Sequence, residues 1–68
     1  MKRMNRIKEV LDEKGVTQTW LSGKLGKSYN MVNGYVQNRR QPSLKVLNKI
    51  ADILDVDVAD LLISRKRK

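Results

Sequence analysis

The spacing of the apolar residues constrains this chain more than any other feature. Leu44, Leu47, Ile50, Ala51 and Leu54 recur at intervals of three and four, which lines them up along one stripe of an α-helix. Met4, Ile7, Val10 and Leu11 repeat the pattern, as do Leu21 and Leu25. Punctuation separates the stripes. Gly15 supplies a stop after Lys14; Thr17 can cap a second helix, which Gly26 ends. Ser28 can cap a third, carrying Val32, Tyr35 and Val36, with Asn38 as a stop tolerant of left-handed backbone. Pro42 and Ser43 open the fourth. Asp57, with Asp60 three residues on, opens a short fifth holding Leu61 and Leu62. The expectation is an all-α bundle with short connections.

One segment offers a competing geometry. Tyr29–Val32 and Tyr35–Gln37 flank Asn33-Gly34, a strong signal for a β-hairpin turn. Gly34 also costs a helix about 1 kcal/mol relative to Ala. Against this, a lone two-stranded hairpin is marginal in water. Both readings stand on local chemistry alone.

Composition removes whole classes of function. A chain of 68 residues suits one small domain, which buries only about 60% of its unfolded surface. Cysteine and histidine are both absent, which excludes a disulfide framework, a zinc finger, a thiol nucleophile and an imidazole base. The carboxylates fall in peripheral segments with no glycine-rich phosphate loop, so no enzyme, cofactor, metal or small-molecule ligand is expected. No apolar run approaches the roughly 20 residues needed to cross a bilayer, and the basic N-terminus leads into an amphipathic pattern with no apolar signal region. A cytoplasmic location without membrane contact is the expectation.

Charge points to a partner. Fifteen Lys and Arg against seven Asp and Glu give a formal +8. Between Lys14 and Ala51 there is no acid at all, while Lys24, Lys27, Arg39, Arg40, Lys45 and Lys49 are basic. A basic middle between acidic shoulders suits one polyanion-binding face, or simply a solvated surface. Arg65, Lys66, Arg67 and Lys68 form a tail with nothing to bury, expected to be disordered beyond a domain spanning 1–64.

From Gln18 to Tyr35 the spacing fits two helices crossing over a tight turn: Leu21 and Leu25 inward, Ser22 at a close approach, Gly26 at the turn, Val32 and Tyr35 packing back. With Arg6-Ile7-Lys8, Gly15-Val16-Thr17-Gln18, Asn38-Arg39-Arg40, Pro42-Ser43-Leu44, Leu47, Ile50-Ala51 and Leu54, this ordered set resembles the Cro/phage-repressor-like helix-turn-helix (Xre) family. The resemblance runs from about Asn5 to Leu62. It implies a five-helix lambda-repressor-like DNA-binding domain whose third helix, about 28–37, enters the major groove of a pseudo-palindromic operator. The implied function is sequence-specific transcriptional regulation, of repressor type.

Carried over position by position, the resemblance puts Ser28, Tyr29, Asn30 and Asn33 toward base edges, residue types able to read them. Gln18, Lys27, Asn38, Arg39 and Arg40 fall at phosphate-binding positions. Val56, Val58, Leu62 and Ile63 fall near the surface through which the family dimerises, so a homodimer is expected. The chain departs from the pattern at Trp20, where a glutamate usually closes a capping box, at Lys27, at Val36-Gln37 and at Gly34. Trp20 keeps open a second function class, an antitoxin-like or adaptor module that binds a protein through this ring. A third class is a non-specific polyanion binder driven by charge alone.

Overall fold

A computed structural model describes residues 3–63. The chain forms α1 (Ile7–Lys14), α2 (Gln18–Leu25), α3 (Tyr29–Val36) and α4 (Leu44–Leu54), followed by a 3-10 turn, Val58–Leu61. The caps follow residue chemistry. Thr17 Oγ1 accepts from the Trp20 N–H at 3.0 Å, Ser28 Oγ from Met31 at 3.1 Å and Ser43 Oγ from Val46 at 3.2 Å. Gly15, Asn38 and Asp55 all take left-handed backbone after their helices.

Four α-helices form, not the five expected. Asp57 makes no side-chain cap bond, and the segment after it closes one 3-10 turn before becoming extended. The reason is a competing partner. Leu62 bridges Asn5 in antiparallel fashion, with Arg6 N–H donating to the Leu61 carbonyl at 2.9 Å and Ile63 N–H to Met4 at 3.3 Å. The hairpin alternative does not form; Asn33 and Gly34 lie inside α3. The basic tail at 65–68 lies outside the described residues.

Helix α2 packs against α3 and α4, and α1 meets α3, α4 and the 3-10 turn. Ile7, Leu21, Ile50 and Leu61 are completely buried at the centre, surrounded by Val10, Val32, Tyr35 and Leu54. Two expected stripe members are outside. Met4 precedes α1 in the extended segment, and Leu44, the first residue of α4, is 69% exposed. Among the described residues no helix is long and apolar enough to cross a membrane.

Candidate nucleic-acid interface

Gly26, at φ +74°, turns the chain between α2 and α3. Its N–H and that of Lys27 both donate to the Ser22 carbonyl, at 2.9 and 3.2 Å. A side chain in this backbone region would cost about 1–2 kcal/mol. Beyond the turn, Val32, Tyr35 and Val36 anchor α3 in the core, so its opposite side faces solvent. Ser28, Tyr29 and Asn30 are all exposed there, and Lys27 is half-buried beside them. The set expected at base edges is therefore brought together at one helix end, except for Asn33.

Asn33 is committed within the chain. An arginine can only donate, so the 2.9 Å bond from Arg39 Nη2 fixes the Asn33 Oδ1 as its acceptor. Asn33 Nδ2 then donates to Gln18 Oε1, also at 2.9 Å. The relay leaves Gln18 Nε2 with no acceptor among the described residues. Asn33 thus links the Gln18 amide and the Arg39 guanidinium, with both ends of its own amide engaged within the chain.

Asn38, also among the expected phosphate-binding residues, is turned inward and only 6% exposed. Its Oδ1 accepts from the Met4 N–H at 2.7 Å, the Asn5 N–H at 3.0 Å and Gln41 Nε2 at 3.2 Å, while its Nδ2 donates to the Asn5 carbonyl at 3.2 Å. Asn5, which sequence reasoning passed over, is the other half of this knot. Buried to 1%, it donates to the Tyr35 carbonyl at the end of α3 and to Gln41 Oε1, and accepts from the first N–H of α1. Its bond to the Ile7 N–H is local, but the partners that tie it to the end of α3 and the following loop lie 30 or more positions away, so nothing nearby signals that part of its role.

Charge is partitioned across the molecule. Every ion pair among the described residues uses an acid of α1: Arg3–Glu9 at 2.8 Å, Arg6–Glu13 at 3.5 Å and Lys8–Asp12 at 3.4 Å. The hydrogen bond from Arg3 holds the Glu9 carboxyl below its usual range and raises the Arg3 guanidinium. Lys24, Lys27, Arg39, Arg40, Lys45 and Lys49 form no ion pair among the described residues. Arg39 and Arg40 border a concavity on α3 with Ser28, Asn30, Met31 and Gly34.

Trp20 sits on the solvent side of α2, 38% exposed, with Lys24 Nζ 5.7 Å from its ring centroid. That cation–π contact gives the ring a neighbour within the chain. Of the residues expected in a dimer surface, Leu62 is exposed, while Val56, Val58 and Ile63 are half-buried.

Residues 6–66 match the family model for the Cro/C1-type helix-turn-helix DNA-binding domain. The chain belongs to this family. Two solved structures resemble the Cro/C1-type fold described above. One, a Bacteroides fragilis protein described by inference as DNA-binding, is 45% identical with a TM-score of 0.87, over 88% of this chain and 97% of that one. The other, the N-terminal DNA-binding domain of SinR from Bacillus subtilis, is 32% identical with a TM-score of 0.74, over 91% of each chain. Among curated proteins no match reaches significance.

Proposed function

We propose that this Cro/C1-type domain is a sequence-specific DNA-binding transcriptional repressor. It lays the N-terminal end of α3 in the major groove and occludes a promoter as a homodimer on a pseudo-palindromic operator. The observation that carries this reading is the Arg39–Asn33–Gln18 relay. It holds two donors, the Gln18 amide and the Arg39 guanidinium, by α3, whose start exposes Ser28, Tyr29 and Asn30, and Arg39 enters no ion pair among the described residues. In this reading Ser28, Tyr29 and Asn30 meet base edges, and Asn30 suits an adenine. Gln18, Lys27 and Arg39 meet phosphates, helped by the free N–H groups at the start of α2. Dimerisation uses Leu62 with Val56, Val58 and Ile63.

Selection of duplexes from a randomised library tests the reading directly. A conserved half-site, repeated with two-fold symmetry about one helical turn apart, is the expected result. Enrichment of no sequence over the input would reject it.

A further inference from the structure

Gly34 follows Asn30 by four residues and so shares its face of α3, yet Asn30 is exposed and Gly34 is buried. What covers Gly34 is Arg40. A Cβ at position 34 would meet Arg40 Cγ at 3.1 Å, Cδ at 3.5 Å and Nε at 3.8 Å. The arginine is held at both ends. Its N–H donates to the Gly34 carbonyl at 3.3 Å, and Nη1 reaches Met31 Sδ, one turn back toward the start of α3, at 3.2 Å. The thioether is a weak acceptor, and no carboxylate pairs with this guanidinium among the described residues.

We infer that Arg40 is a base-reading residue: a loop arginine laid into the slot that Gly34 leaves on α3, its guanidinium directed at a guanine edge beside the base met by Asn30. The inference rests on the proposed DNA-reading role of α3 and departs from a phosphate role for Arg40. Three observations separate it from Arg39. Arg39 is tied to Asn33 and, through it, to Gln18 on α2, which is the arrangement of a backbone clamp. Arg40 lies along the reading helix itself, its stem over Gly34 and its guanidinium against Met31, inside the concavity that Arg39 also borders. Its stem is already ordered by Gly34, so less rotamer freedom is lost when the planar fork meets the two acceptors of guanine.

The test is half-site selection from a randomised duplex library by the wild type and by Arg40→Ala, Arg39→Ala and Gly34→Gln, with circular dichroism to confirm helicity. The wild type should select a guanine at one position of each half-site. Arg40→Ala should lose preference at that position alone and bind the wild-type operator about ten- to a hundredfold more weakly. Its affinity for random duplex should fall only by the small factor that one charge per chain carries. Arg39→Ala should keep every base preference and weaken both duplexes alike. Gly34→Gln, which fills the slot and displaces Arg40, should change the preference at the same position. An Arg40→Ala protein that keeps the selected sequence and weakens all duplexes equally would place Arg40 on a phosphate and overturn the inference, leaving the DNA-reading role intact. A wild type that selects nothing would remove that role and this inference together.

Discussion

Asn38 does two things that few residue types combine. It takes left-handed backbone at φ +62°, and its amide satisfies the N–H groups of Met4 and Asn5 inside the fold. Asn38→Ala would strand buried donors and strain the backbone, so a loss of about 2–4 kcal/mol in urea unfolding is expected. Asn38→Gly keeps the backbone at ease and should lose about 1 kcal/mol less. The left-handed turn was readable from residue type; the inward amide was not, because all its partners but Gln41 come from the other end of the chain. Asn33 carries the same lesson. As a poor helix former it reads as a contact residue, but its neighbours on α2 and in the loop claim both ends of the amide. Asn33→Ala and Arg39→Ala should therefore be non-additive in DNA affinity, with a coupling of about 0.5–3 kcal/mol in a double-mutant cycle. Additive effects would disconnect the relay from binding.

At the scale of elements, helix limits followed from caps and glycines, which act within three or four residues and so are visible in sequence. The last element did not follow, since its fate depends on a bridge to Asn5, more than 50 residues away. Helix α3 shows a second such conflict. Gly34 weakens it by about 1 kcal/mol relative to Ala, and its companion Asn33-Gly34 turn signal is overridden by the burial of Val32, Tyr35 and Val36. Gly34→Ala should raise unfolding stability by up to about 1 kcal/mol, since the exposed stem of Arg40 can yield a few tenths of an ångström. The same change should blunt operator discrimination, read by competition between selected and random duplex. Helix α1 has a pH dependence of its own. Glu9 titrates below its usual range in the fold because Arg3 donates to it, so this pair stabilises the protein above the ordinary carboxylate pKa. The contribution fades as pH falls through the lowered folded value. Both side chains are largely exposed, so the effect is small and screened by salt. Glu9→Gln should remove that part of the acid dependence in pH-stepped urea titrations, leaving stability at the lowest pH unchanged.

For the whole molecule, the acids of α1 pair with Arg3, Arg6 and Lys8, and the bases of the sequence's middle enter no ion pair among the described residues. Charge order along the chain suited a polyanion partner and a solvated surface alike; which bases remain unpaired is a property of the fold. A single module with so few reading side chains discriminates weakly, at about 1–3 kcal/mol per good bidentate contact. A second copy doubles the reading surface without new residues. The exposed Leu62, with half-buried Ile63 next to it in the chain, offers an apolar surface for it, and Leu62 does not belong to the core. Leu62→Glu should therefore leave thermal unfolding nearly unchanged while opposing association with a like charge from each copy. With the second half-site no longer held by its neighbour, affinity for the full operator should fall about 10²–10⁴-fold, toward that of an isolated half-site. Wild-type complexes should carry two chains per operator by mass measurement, and Leu62→Glu complexes formed at limiting protein should carry one. Retention of two chains and full affinity by the variant would move the dimer contact to another face.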